Sequence, residues 1–385
     1  MATIRPFKGL RYNPEKIDNL SSVITQPYDK IDPDLQETYY ERHPHNYVRL
    51  IFGREEDRYK ESTDNFSKWA EEKIIVRDDE PALYPYTQTY IVADHPDPIT
   101  RTGFITALKL HPYEDKVVLP HERTLSRARE DRFKLFSRTN KNYEQVFMLY
   151  GDKSRTIEGL FARFMDKEPI IETTDDYGCI HRVWKVTDPE VIAKAREVLN
   201  PLPVMIADGH HRYETALALQ EHLRDAKTDI PDNEAFNHRM VTLVNLFDPG
   251  LLVLPTHRYV IKLKTDFSAA KAELSKHFDI TEVPGENLLE KVKQNAGKHA
   301  FGLYRKDGSW LLLLKDSSVM NEVMPDAAPE LRTLDVSVLH NLVIEKNLGI
   351  SKKEIEDYIK YERYVDKAFE SVNDGTYEMV FLMNP

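Results

Sequence analysis

The stretch Val204-Met205-Ile206-Ala207-Asp208-Gly209-His210-His211-Arg212-Tyr213-Glu214-Thr215-Ala216 decides how this chain reads. Four apolar residues, Val204 to Ala207, enter it as a buried strand does, and Tyr213 to Leu219 leaves it through good helix formers. The pattern predicts a strand, a tight turn and a helix. Gly209 lets the backbone approach a ligand closely, and the helix start offers amide donors and positive partial charge to an anion. Arg212 adds a bidentate clamp. For Asp208 three roles stay open: orienting a donor, holding a magnesium ion through water, or capping the helix. His210 and His211 diverge by about 100° on a helix, so the pair lacks the i,i+4 geometry of a zinc site.

Composition bounds the rest. A chain of 385 residues exceeds one ordinary hydrophobic core, so two domains, or one with a large insertion, are expected. A hydrophobic share of 41% with 30% charged residues is that of a soluble globular protein. The formal charge of −11 argues against a broad nucleic-acid surface, which must displace counterions from phosphates with basic residues. Cys179 is the only cysteine, which excludes an intrachain disulfide, a multi-thiolate zinc cluster and a CxxC redox pair. A reducing cytoplasm is the expected setting. No apolar signal core follows the amino terminus, and no run approaches the roughly 20 apolar residues that span a bilayer, so neither export nor a membrane is expected.

Outward from the central turn, Asn65 to Ile75 predicts an amphipathic helix with Phe66, Trp69 and Ala70 on one side. Leu83 to Val92 and Arg101 to Leu110 predict a hairpin across the turn-rich Asp94-His95-Pro96-Asp97-Pro98. Helices are expected at Ser126 to Ser137 and near Val191 to Leu199. Strands are expected at Gln145 to Tyr150, His181 to Val186 and Met240 to Phe247. Beyond about Lys262 the pattern changes to amphipathic helices alternating with short strands such as Phe301 to Tyr304 and Trp310 to Leu314. Residues 1–261 are therefore read as a phosphate-binding α+β domain with insertions, and 262–385 as a carboxy-terminal α+β lobe.

A second constellation is Pro120-His121-Glu122-Arg123-Thr124, at the end of a strand-like run. Glu122 is either the base that takes a proton from a hydroxyl nucleophile or half of an exposed ion pair with Arg123. Seven basic residues and two acidic ones lie between Arg123 and Lys141. Helical spacing aligns Arg123, Arg127, Lys134 and Arg138 on one face, while Leu125, Phe133 and Phe136 point to the core. Such a stripe is a solvated face or a seat for a polyanion. Pro255-Thr256-His257-Arg258 follows another strand, and His257 reads equally as a packed core histidine. Asp29, in Gln26-Pro27-Tyr28-Asp29, and Asn46, in His43-Pro44-His45-Asn46, are pocket candidates that turn chemistry alone also explains. No GxxxxGK[ST] loop, GxGxxG turn, HExxH or GxSxG is present.

The set Gln26-Pro27-Tyr28-Asp29, Pro120 to Thr124, Asp208 to Ala216 and Pro255 to Arg258 resembles the uncharacterised family called domain of unknown function ten-fifteen, over most of the chain. Locally, Asp208-Gly209-His210-His211-Arg212 resembles the nucleotide-phosphate turn of the partitioning-protein B/sulfiredoxin-like superfamily, and within it the archaeal free serine kinases. That resemblance implies an α+β fold with a mixed sheet, flanking helices and large insertions. It further implies a small-molecule kinase that moves a phosphoryl group from a nucleotide or pyrophosphate to a hydroxyl, free L-serine being the acceptor, with Mg2+. By resemblance Gly209, His210, His211 and Arg212 bind donor phosphates and Asp208 assists metal or phosphate positioning. Arg123 and Thr124 are added as donor contacts, Glu122 and His121 as catalytic groups, and His257, Arg258, Asp29 and Asn46 as substrate contacts. His210 stands where sulfiredoxins carry their reactive cysteine, which disfavours that activity. Two other classes stay open: a nucleotide-binding regulatory switch and a metal-assisted phosphohydrolase or nuclease.

Overall fold

The computed structural model describes residues 1–92, 97–120, 126–225, 234–362 and 364–385. The chain divides into two compact units, Met1–Leu252 and Val253–Pro385. The sequence puts the junction at 261/262, whereas the division falls earlier because Tyr259 and Val260 pair inside the second unit's sheet.

In the first unit the strands are β1 (Ile4–Arg5), β2 (Leu10–Tyr12), β3 (Ile75–Arg77), β4 (Tyr84–Tyr90), β5 (Ile99–Lys109), β6 (Val118–Leu119), β7 (Val146–Tyr150), β8 (Ile171–Thr174), β9 (Ile180–Val183), β10 (Val204–Asp208) and β11 (His238–Asn245). Nine of them form one mixed sheet in the order β6-β10-β7-β11-β5-β4-β9-β8, with β1 also paired to β5. The β6/β10 and β7/β11 pairs are parallel, and the rest are antiparallel. The hairpin expected around residues 94–98 is the β4/β5 pair. Its residues 93–96 lie outside the described set.

The helices of this unit are α1 (Pro33–Arg42), α2 (Val48–Ile51), α3 (Arg58–Glu71), α4 (Ser126–Thr139), α5 (Thr156–Met165), α6 (Pro189–Leu199) and α7 (His210–Asp225). Local chemistry sets their starts. Asp32 accepts from the Leu35 amide at 2.8 Å with proline at the next position, and Asp188 with Pro189 repeats the device at α6. Along β7 Val146, Met148 and Tyr150 are buried in alternation. They join Val204, Ile206, Val241 and Leu243 in one core with Phe161, Ala195, Tyr213 and Leu219 from the helices. A second cluster gathers Tyr39, Leu50 and Trp69 around α1 to α3. The helix expected from Asn65 begins earlier and ends before Ile75, which is a strand. Trp69 is buried as expected, but Ala70 is exposed and Ser62 lies inside.

The second unit holds β12 (His257–Val260), β13 (Phe278–Glu282), β14 (Ala300–Arg305), β15 (Gly308–Leu314), β16 (Ile359–Glu362) and β17 (Met379–Met383). They make an antiparallel sheet in the order β13-β15-β14-β17-β12-β16. One face packs with α8 (Phe267–His277) and a π-helical run, Val338–Asn347. The other packs with α9 (Gly285–Gln294) and Val365–Asn373. No helix is long and apolar enough to cross a membrane among the described residues.

Candidate functional site

Strand β10 ends in a bulge. Its register against β7 jumps between Ile206 and Asp208, so that Asp208 stands opposite Phe147. Such an extra residue re-aims the side chain that follows it. Gly209 then turns the chain into α7 at φ +96°, a conformation that side-chain-bearing residues resist. A Cβ placed there would lie 2.8 Å from Nε and 2.9 Å from Cζ of Arg212. The guanidinium therefore sits directly against the turn.

Arg212 donates through Nη1 to the Gln145 carbonyl and through Nη2 to the Asp208 carboxylate. The Asp208 side chain is 64% exposed while that of Arg212 is 12% exposed. Arg212, expected from the sequence to clamp an anion, is here engaged within the chain, tying the helix start to the residue that leads into β7. Tyr213 anchors the next position. Its buried hydroxyl donates to the His111 carbonyl and accepts from the His111 amide, both at 3.0 Å. Burial raises its pKa, which keeps it a neutral donor.

Arg212 and Thr215, one turn apart on the same face of α7, line a cavity of ≈ 20 Å³ together with Arg132, Lys141, Glu144 and Arg239. That is room for about one water-sized group. Arg239, the second residue of β11, is 5% exposed. Its Nη2 donates to the Glu144 carbonyl at 2.8 Å, and its buried Nε has no hydrogen-bond partner. Burial, with Arg212 nearby adding repulsion against the pull of Glu144, draws the guanidinium down to about 10. It remains charged at neutral pH. Arg132 reaches in from α4, held by Asp131 through Nε at 2.9 Å and by the Ile51 carbonyl at 3.3 Å. Its guanidinium lies 4.0 Å from the centre of the Tyr28 ring. Four cations and one carboxylate line the cavity, Arg212 being paired besides to Asp208 and Arg132 to Asp131, and a buried cation with an idle donor favours an anion.

The Gln26 to Asp29 turn meets this site through Tyr28, whose amide donates to Glu144 Oε1 at 3.4 Å. Asp29 itself lies in the short 3-10 turn Tyr28–Lys30. Asn46 is fully buried and its amide is spent on the chain: Nδ2 donates to the carbonyls of Ser22 at 2.9 Å and Ile24 at 3.4 Å, and Oδ1 accepts from the Val48 amide at 3.1 Å. This is the work of a loop tie. Asn46→Ala is expected to lower unfolding stability in urea by about 2–3 kcal/mol, the cost of stranding buried backbone groups, and to leave anion affinity unchanged.

His121, Glu122, Arg123 and Thr124 lie outside the described residues. The strand before them, β6, runs parallel to β10 with Leu119 beside Met205. His257 and Arg258 belong to the second unit. As consecutive residues of β12 they point to opposite faces of its sheet, so the two do not line one pocket. Nδ1 of His257 accepts from the Met383 amide at 3.3 Å, and burial draws the imidazole down to about 4. Arg258 donates to His340 Nε2 at 2.9 Å on the π-helical face.

Sequence reasoning did not single out Arg239, Glu144 or the inward course of Arg132. Lys134 and Arg138 are exposed as the stripe requires, but Arg132, four residues before buried Phe136, shares that apolar face. That spacing was the available signal. Arg239 carried a weaker one, a cation at the lip of an apolar strand.

A family model described as protein of unknown function, DUF1015, matches residues 4–337. No curated protein matches the chain. Among solved structures, a conserved hypothetical protein from Pyrococcus furiosus is similar at 15% identity over 73% of this chain and 79% of that one, with a TM-score of 0.32. Free serine kinase in complex with AMP is similar at 15% identity over 73% and 76%, with a TM-score of 0.32. A free serine kinase variant in complex with ADP is similar at 15% identity over 77% and 82%, with a TM-score of 0.33. Scores at this level carry no argument for function, which rests on the site's own geometry.

Proposed function

We propose that this chain, which belongs to the DUF1015 family of proteins of unknown function, is a phosphotransferase whose donor phosphate binds at the start of α7. The observation that carries the reading is the arginine-lined cavity under that helix start, whose lining includes buried Arg239 with its idle Nε. The reading keeps the sequence-based likeness of the turn to the partitioning-protein B/sulfiredoxin-like superfamily. The donor is a nucleotide or pyrophosphate, and the acceptor is a small-molecule hydroxyl, free L-serine being the one that the Asp-Gly-His-His-Arg resemblance implies.

In this reading a phosphate oxygen takes the water-sized cavity while the rest of the donor lies over Gly209, His210 and His211. Arg212 exchanges the Asp208 carboxylate for the donor phosphate, a stronger and bidentate partner. Arg239 and Arg132 hold the electrostatic field in place without reorganising, which is the cheapest way to stabilise charge gathering on the transferred group. The base is Glu122, with His121, Arg123 and Thr124 beside it, a role assigned from sequence pattern alone. It takes the acceptor hydroxyl proton as the oxygen bonds to phosphorus and the bond to the leaving phosphate breaks. Asp208 would hold magnesium, because its exposed carboxylate suits an ion that takes few protein ligands. When bound, the ion neutralises donor charge.

Arg212→Ala is the direct test of the turn. Calorimetric affinity for ADP and pyrophosphate is expected to fall about 10–100-fold, the worth of a charge-assisted bond. Unchanged affinity for both ligands would remove the turn from the donor site.

A further inference from the structure

We propose that Asp175, Cys179 and His181 form a binding site for a borderline-soft divalent cation of the zinc class. The three residues sit where β8 turns into β9, and one donor atom from each lies within 4.8 Å of the others. Zinc ligated by sulfur, nitrogen and oxygen needs donors about 3.3–3.7 Å apart, so binding the ion draws these donors together by at most about 1.5 Å.

The groups behind these donors are arranged as supports. Asp175 Oδ1 accepts from the amides of Tyr177 and Cys179, both at 2.9 Å. That leaves Oδ2 turned to His181 Nε2 at 3.0 Å. The other ring nitrogen, Nδ1, meets the Tyr86 hydroxyl at 2.5 Å, and the two rings stack at 5.9 Å with 13° between planes. A histidine whose far nitrogen is fixed by an outer partner is the usual form of a metal ligand. Asp176, the next residue, is tied to the Tyr39 hydroxyl at 2.7 Å and to Arg42 at 2.8 Å, so the turn is held from outside as well.

On coordination the Sγ–H bond of Cys179 breaks and its proton leaves to solvent. His181 moves its proton from Nε2 to Nδ1, where the Tyr86 oxygen accepts it, and the Asp175–His181 hydrogen bond gives way to two bonds to the ion. Three protein ligands leave a fourth position for water, the pattern of an open rather than a purely structural zinc site.

Because Cys179 is the only cysteine in the chain, a thiolate signal has one source. The probe is Co2+ added alone to the full-length protein, followed by absorption spectroscopy, with Zn2+ used to displace it. The expected result is a thiolate-to-cobalt charge-transfer band that saturates at one ion per chain and is lost in Cys179→Ser. Tyr86→Phe is expected to weaken affinity about 10-fold while keeping the band, the size of effect an outer partner has. Absence of the band in the unaltered protein overturns the proposal. So does a band whose affinity is unchanged in both Asp175→Asn and His181→Gln, since that is a thiol binding alone.

Discussion

Arg239→Leu is expected to weaken binding of ADP and pyrophosphate about 100-fold, the largest loss of any single side chain at the site. Arg239 is the cation most removed from water, at 5% exposure, and a charge-assisted bond in such a place is worth about 3 kcal/mol. Leucine replaces the buried stem with apolar volume, so the variant removes the charge without opening a void. On the folding side the variant loses the bond to the Glu144 carbonyl and the guanidinium's place 5.2 Å from the centre of the Phe136 ring, together about 1–2 kcal/mol. Thermal unfolding and calorimetry on the same sample separate the two effects. A variant that loses as much stability as affinity would mark Arg239 as a core residue and not a ligand-binding one.

Gly209→Ala is expected to cost both affinity and stability. At φ +96° an added methyl strains the backbone by about 1–3 kcal/mol. It also meets Arg212 Nε at 2.8 Å, so the guanidinium must leave the position from which it reaches the turn. Affinity for ADP should fall at least about 10-fold as the clamp is displaced. Gly159→Ala supplies the control, since nothing lies within 4 Å of a Cβ there. Within α5 that change should add about 0.5–1 kcal/mol of stability by helix propensity alone. Equal behaviour of the two variants would show that the Gly209 turn carries no special geometry.

The sequence made the strand, turn and helix at Val204 to Leu219 legible because an apolar run, a glycine and a helical pattern fall in immediate succession. Strand β7 and the β4/β5 hairpin were legible for the same kind of reason, local periodicity bounded by turn residues. The partners of Arg212 were not legible. Gln145 is 67 residues away along the chain, and the β10/β7 register that brings it close is set by packing across the sheet. Arg239 was hidden in the same way, because only the parallel β7/β11 pairing puts it against Glu144. Asn46 misled in the opposite direction. A polar residue in a turn reads as a pocket candidate, but its amide is consumed by three backbone groups that only tertiary folding supplies. For His257 and Arg258 the strand period of two is decisive, since adjacent residues on β12 face opposite layers.

The central claim is transfer of a phosphoryl group from a donor seated at α7, and phosphorus nuclear magnetic resonance follows it directly. The purified full-length protein is incubated with L-serine, Mg2+ and ADP or pyrophosphate, and the spectrum is recorded with time. The expected result is a phosphoserine resonance growing as the donor is consumed, absent in Arg239→Leu. Donor binding without any new phosphorus species, or inorganic phosphate appearing with water as the sole acceptor, would contradict it.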